Sequence, residues 1–258
     1  MADGAEAGTE EVAGEADSAV AADLAGVASA VAAADSAAGA PPGAGKHMIN
    51  ADTFFSTGEK QRIEQAVVAA EQKTAGEIVP MLIASSGRYA EVELTAVVLG
   101  LVLGTLAAFL WHDPWGSLHV YVLWPAVGAL LGFVIGSVPA VKRRMLSQAR
   151  IAEAVHVRSL AAFTGYGLHH TKAHTGILIL ASLFEHRVVI LADQGINQKD
   201  EPGTWNQVVE LITAGLQSGN ACEAFCKAIE RCGEILAQHF PRSPDDRDEL
   251  SNKLVTER

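Results

Sequence analysis

Two long runs without a formal charge dominate this chain and restrict what it can fold into. The first covers residues 94–112 and the second 114–141, with its most apolar part at 120–141. At about 1.5 Å rise per residue, the first run makes a helix close to the ~30 Å thickness of a bilayer's hydrocarbon core. Both runs are too long and too evenly apolar for the surface helix of a soluble domain, which needs a polar face. Between them Trp111, His112, Asp113, Pro114, Trp115, Gly116 and Ser117 read as a short turn, with tryptophans of the kind found at membrane interfaces. The pair predicts a transmembrane helical hairpin; two buried core helices of a soluble domain are the alternative.

Small residues recur at every fourth position in both runs: Ala96, Gly100, Gly104 and Ala108, then Gly128, Gly132, Gly136 and Ala140. Without side-chain bulk two helix backbones can approach closely. The stripes predict packing of the two helices on each other. They also allow self-association, or contact with other membrane proteins, through Gly100, Gly104, Gly128, Gly132 and Gly136. Lys142, Arg143 and Arg144 follow the second run, Arg150 comes soon after, and Arg88 precedes the first. The turn has neither Lys nor Arg, so the positive-inside rule puts both ends of the hairpin in the cytoplasm. The expectation is a multi-pass protein of the inner (plasma) membrane, embedded in the lipid bilayer, with its soluble domain cytoplasmic.

The formal charge of −11 is unevenly spread, because the first 45 residues hold eight acids and no Lys or Arg. The remainder, with 22 acids and 19 bases, has no basic excess of the kind a nucleic-acid binder needs. Residues 1–47 are mostly Ala, Gly, Glu, Asp and Ser, and cannot bury enough area to offset the entropy of ordering. They are expected to form a disordered acidic tail. They are not a signal peptide, since the basic n-region is missing. Translation beginning at Met48 would dispense with them. Residues 251–258 are expected to be a short C-terminal tail.

The flanks carry the signals of a small α/β domain. Ser56 and Glu59 fit a capping box, followed by Ile63, Ala66, Val67 and Ala70 at helical spacing to about Thr74. Residues 77–84 read as a strand, with Pro80 demanding an edge or an irregularity. A helix is expected over 144–163, then strands at 176–181 and 187–193 joined by a turn at 184–186. Gly203, Thr204 and Trp205 open a helix to about Ser218, and another covers 221–240 until Pro241 stops it. One helix and one strand cannot enclose a core, so the two flanks should complete each other. Strand 77–84 would pair in parallel with 176–183, with helix 144–163 in the crossover. The predicted fold is a small mixed-sheet α/β sandwich, discontinuous over 48–92 and 142–250 and interrupted by the hairpin at 93–141.

The residues from Glu71 to Val79 (with Thr74, Gly76, Glu77 and Ile78), Thr171 to Gly176, Arg187 to Ile190, then Asp193, Gly195, Ile196 and Trp205, resemble the TPM domain family. That family is named for a thylakoid-lumen phosphatase and a photosystem II repair protein, together with a receptor-modulating membrane protein of the MOLO type. The likeness covers roughly 52–92 and 142–250, and is most specific at Thr-x-Gly-Glu-Ile over 74–78 and at 174–196. It implies a small α/β sandwich, usually membrane-tethered. For some members it implies acid phosphatase activity and divalent cation binding.

On that likeness Glu77, at the start of the first strand, and Asp193, at the end of the third, match the family pattern. Carboxylates gathered at one rim of a sheet can hold a hard cation such as Ca²⁺ or Mg²⁺. The plainer reading is that Glu77 caps local backbone or pairs with Arg187, while Asp193 sits in the turn made by Gly195. Asp245, Asp246, Arg247, Asp248, Glu249 and Leu250 resemble the family's closing Asn-Glu-Leu element, with Asp248 in place of Asn. They would add metal ligands or form a solvated acidic stretch. His169, His170 and His174 are imidazoles suited to Zn²⁺, or exposed loop residues. Cys222 and Cys226 share one helical face with Cys232 offset. They lack a zinc-knuckle spacing and read as buried, reduced thiols.

No Gly-rich phosphate loop, Gly-x-Ser-x-Gly elbow or aspartyl-phosphatase motif is present in the sequence, and no catalytic residue can be nominated. Two functions compete. One is a non-catalytic, membrane-anchored protein-binding module that assists assembly or repair of membrane proteins. The other is a divalent-cation-dependent acid phosphatase. Transport is disfavoured, because two helices without intramembrane ionisable residues offer no pathway.

Overall fold

The structure, a computed structural model, describes residues 32–33, 50–110, 118–172, 174–199, 203–243 and 249–257. The chain divides into two compact units, Met1–Ala84 with Val157–Arg258, and Ser85–His156. The insertion expected over 93–141 lies within the second of these units. The helices of the inserted unit begin before the apolar run and continue after it.

The first unit is a mixed α/β layer structure. Its elements in chain order begin with β1 (Ala32–Ala33), α1 (Ala51–Phe54), α2 (Thr57–Glu71) and β2 (Glu77–Ile83). The inserted unit holds α3 (Ala90–Leu110), α4 (Leu118–Gly136), α5 (Pro139–Met145) and the start of α6 (Gln148–Gly165). A 3₁₀ turn at Leu168–His170 leads to β3 (Gly176–Ser182), β4 (Arg187–Ala192), α7 (Gln194–Asn197), α8 (Asn206–Ser218), α9 (Ala221–His239) and β5 (Val255–Glu257).

The strands order as β1-β4-β3-β2-β5. β2 and β3 run parallel from Glu77 opposite Gly176 to Ile83 opposite Ser182, and β3 and β4 form the antiparallel hairpin. The two flanks thus complete one sheet, as the sequence requires. Two expectations change. Residues 251–258 are not simply a tail, because Val255–Glu257 adds β5 in parallel to Met81–Ile83. Of the tail expected over 1–47, only Ala32–Ala33 is described, paired antiparallel with Ile190 and Val189; the remainder lies outside the described residues.

Pro80 illustrates how the sheet tolerates its missing donor. Glu77 donates its amide to Thr175 O on the β3 side, and strand amides alternate sides, so the Pro80 nitrogen faces away from β3. On that side β5 pairs only from Met81 onward. β2 is therefore interior at its C-terminal half and an edge where the proline sits.

The α2 N-terminus forms as its residues dictate. The Ser56 side chain accepts from the Glu59 amide, and the Glu59 carboxylate accepts from the Ser56 amide and hydroxyl. Those bonds hold the Glu59 carboxyl below its ordinary range. The helix ends at Glu71, earlier than the expected Thr74, with Gln72 as its cap.

One core lies between a face of the sheet and α2, α8 and α9, with Ile78, Ile177, Ile190, Ile63, Ile212 and Phe225 fully or almost fully buried. Gly233 of α9 lies against α2: a Cβ there would stand 2.7 Å from the Ala70 Cβ. The opposite sheet face, with Val79, Met81, Leu178, Leu180 and Leu191, is also buried, so apolar packing covers both sides. Arg158 of α6 pairs with Glu257, and Tyr166 donates to the same carboxylate at 2.6 Å, tying the end of α6 to β5.

In the inserted unit α3 is long and apolar enough to cross a membrane. α3 and α4 pack antiparallel along the two glycine stripes. An added Cβ at Gly100 would lie 2.1 Å from Gly128 O, one at Gly104 2.3 Å from Trp124 O, and one at Gly132 2.2 Å from Ala96 O. Of the two uses foreseen for the stripes, mutual packing is the one this fold makes.

The second apolar run is not one straight helix. Val120–Gly136 and Pro139–Met145 meet at a bend of 88°, and only together are they long and apolar enough to cross a membrane. Pro139 explains the break: it lacks the N–H that would continue the ladder, holds Val138 extended, and starts α5 at its first position. Likewise the single helix expected over 144–163 is split, with Leu146 extended at the end of α5 and Ser147 capping the next turn through the Arg150 amide. The turn expected at 111–117, with its two tryptophans, falls outside the described residues.

Because Gly128 leaves no room for a side chain, Gly128→Leu is expected to force α3 and α4 apart. Thermal unfolding of the full chain in detergent should therefore begin at a clearly lower temperature in Gly128→Leu, whereas Leu130→Ala, on the exposed face of the same helix, should change it little.

Candidate functional site

Both residues expected to hold a metal lie at the same end of the sheet. Glu77 begins β2 opposite Gly176, and the Gly176 carbonyl accepts the amide of Asp193, the residue that follows β4. Parallel pairing of β2 with β3 and the tight β3–β4 hairpin place them there. Arg187, the alternative partner for Glu77, sits at the other end of β4, opposite Ser182.

Each carboxylate has local work. Glu77, 7% exposed, accepts the backbone amide of Glu249 at 2.9 Å on one oxygen and that of Leu250 at 3.3 Å on the other. It therefore fixes the returning C-terminal segment just before β5. Asp193 caps α7, its Oδ1 accepting the Gln194 amide at 2.7 Å. Its Oδ2 is buried, lies 3.3 Å from His174 Nδ1, and accepts no hydrogen bond among the described residues. The Gly195 amide closes this turn on the His174 carbonyl. His174 itself has a positive φ of 51°, a left-handed conformation uncommon for a side chain of this size.

The three histidines do not gather. His174 faces Asp193, whereas the rings of His169 and His170 lie against each other, tilted by 43°, at 3.7 Å between centroids on the 3₁₀ turn. Among the described residues no group of three His, Cys, Asp or Glu side chains stands close enough to hold a metal ion. The acidic residues Asp245, Asp246 and Asp248 lie outside the described residues; Glu249, next in the chain, pairs with Lys172 at 3.5 Å.

Sequence reasoning missed Glu71 as a structural residue. It is buried at the end of α2, where Oε1 accepts the Ile78 amide at 3.0 Å and Oε2 accepts from Asn252 at 2.6 Å. It supplies an acceptor on the side of β2 where β5 has not yet begun. The signal available was a carboxylate four positions after Val67, on the apolar stripe of the helix. Thr175 and Thr171 brace the same rim, Thr175 donating from its hydroxyl to Ala75 O and from its amide to the Thr171 hydroxyl.

The cysteines behave as small apolar residues. Cys232 is fully buried, and burial pushes its thiol up to about 12. Burial, then the adjacent Cys222, pushes Cys226 up to about 11. Thiols held this far above neutrality carry little thiolate, which is the reactive form. An open depression of about 550 Å³ runs along α2 past Gln61, Gln65, Val68 and Gln72, and none of the carboxylates above lines it.

No family model matches the chain, and no curated protein matches it. Among solved structures it is similar to the BA42 protein of the psychrophilic bacterium Bizionia argentinensis, solved by NMR. The two are 21% identical, the likeness covers 79% of this chain and 95% of that one, and the TM-score is 0.50. This likeness concerns the fold alone.

The role of Glu77 as a brace predicts a stability cost when its two acceptor oxygens are removed. Glu77→Ala is expected to lose about 1–3 kcal/mol, with Glu77→Gln, which keeps one acceptor, losing less. Urea unfolding of the full chain in detergent, read by circular dichroism, checks the order.

Proposed function

We propose that this chain is a membrane-anchored, TPM-like α/β module that binds other membrane proteins and performs no chemistry of its own, assisting their assembly or repair. The non-catalytic part rests on the use to which the candidate carboxylates are put. Glu77 is occupied by two backbone amides and Asp193 by a helix cap. Groups committed to holding the chain are poorly placed to serve a substrate.

The anchor is supported by the outer surface of the α3–α4 pair. Leu94, Leu103, Phe109, Val122, Leu130 and Ile135 are all more than half exposed, so apolar surface faces outward all along both helices. A soluble domain rarely leaves so large a contiguous patch to water. Thr95, Thr105 and Ser137 satisfy their hydroxyls on carbonyls one turn back, as hydroxyls in lipid must. On this reading α3 and α4 are both spans, the turn at 111–117 crosses, and the base carrying Lys142, Arg143 and Arg144 stays cytoplasmic at the inner (plasma) membrane. With the glycine stripes packed against each other, a membrane partner would meet the outward faces of the helices.

A second reading, a Ca²⁺- or Mg²⁺-dependent acid phosphatase, has one observation in its favour. Asp193 Oδ2 is buried with no hydrogen bond among the described residues, beside an exposed His174, at the rim to which Glu77 and Glu249 are also tied. The readings part when the full chain in detergent is titrated with Ca²⁺ or Mg²⁺ and assayed on a chromogenic phosphate ester. The module reading expects no hydrolysis above that of Glu77→Gln and Asp193→Asn. Saturable, cation-dependent hydrolysis lost in both variants, with a matching rise in melting temperature, would overturn it.

A further inference from the structure

We propose that α5 and the arginines around it form an interfacial collar that binds anionic phospholipid headgroups. The proposal rests on the two-span reading of the hairpin and deepens it by naming the lipid chemistry at its base.

The chain leaves α4 at Gly136 and turns through 88°, so α5 runs across the direction of the span instead of along it. A helix set at right angles to a membrane-crossing one, where its apolar surface ends, lies along the membrane surface. α5 has the side chains for that position. Val138 and Met145 are exposed, 42% and 45%, beside the exposed Arg144. Apolar side chains turned to the acyl boundary, with cations reaching to the headgroups, are the pattern of an interfacial helix.

The element is pinned where it lies. Lys142 of α5 pairs with Glu93 in the first turn of α3, and Arg150 pairs with Glu91 at 3.4 Å and Glu153 at 3.3 Å. Those two cations are thus matched by carboxylates of the same unit. Arg88 and Arg144 are exposed and make no ion pair among the described residues; Arg143, next to Arg144, is half-buried and has contacts of its own. Five cations against three carboxylates leave the base of the hairpin positive at the level of the headgroups. Guanidinium groups there bind phosphate oxygens by paired hydrogen bonds. A zwitterionic headgroup offers the same phosphate without net charge, so the collar distinguishes lipids by charge.

The test uses the full chain reconstituted in phosphatidylcholine vesicles, with trace spin-labelled phosphatidylglycerol or phosphatidylcholine. Electron spin resonance then reads the fraction of each label held at the protein surface. The expected result is a several-fold preference for phosphatidylglycerol, which falls toward one in Arg88→Gln/Arg144→Gln and in 1 M salt. Each guanidinium removed is expected to lower the ratio by up to about fivefold. Lys227→Gln, on α9 in the other unit, should leave the ratio unchanged. Equal retention of both lipids by the unaltered protein, or a preference that survives the double substitution, would overturn the collar while leaving the hairpin in place. Retention of neither lipid would instead remove the hairpin reading, and the collar with it.

Discussion

Parallel pairing of β2 with β3 is the constraint on which the rest of this fold depends. Two parallel neighbours cannot be joined by a tight turn; the chain must leave one end of the sheet and return to the other. Here that return carries the whole inserted unit, together with the end of α6. Once the register Glu77 opposite Gly176 is set, the insertion can be long, because closing a longer loop costs only slowly increasing entropy. The same register brings Glu77 and Asp193 to one rim and lets the C-terminal segment add β5 beside β2.

At that rim the chemistry is that of a brace. The N-terminal half of β2 has a proline and an incomplete neighbour, so its free edge needs acceptors from elsewhere. Glu71 supplies one to the Ile78 amide, and Glu77 reaches out to the amides of Glu249 and Leu250. Buried carboxyl groups are tolerated in such places because chain donors replace the hydrogen bonds that water would otherwise provide. The inserted unit solves a different problem. With no side chain at Gly100, Gly104, Gly128 and Gly132, α3 and α4 touch backbone to backbone, and their larger residues are left facing outward.

Much of this was legible in the sequence where a pattern was strong and local. The capping box at Ser56 and Glu59, the β3–β4 hairpin, the parallel pairing and the facing glycine stripes follow directly from residue spacing. What escaped depended on long-range partners or on single residues. β5 is three residues long and gains its strand character only from Met81–Ile83, which no local pattern announces. The bend at Pro139 was hidden by the uniform hydropathy on both sides of it, although proline after an extended Val138 is a physical stop. Sheet topology brings Glu77 and Asp193 to one rim, but no local pattern announces their backbone partners, since Glu249 lies far along the chain from Glu77. The histidines near 170 read as a cluster in sequence, but His169 and His170 lie against each other on a 3₁₀ turn while His174 faces Asp193.

The account stands or falls on whether the outward apolar surface of α3 and α4 is in contact with lipid. Extraction of membranes from cells expressing the full chain with alkaline carbonate, which strips peripheral proteins and leaves embedded ones, tests this most directly. The account predicts that the protein stays in the membrane pellet and is released only by detergent. Quantitative appearance in the alkaline supernatant would contradict it.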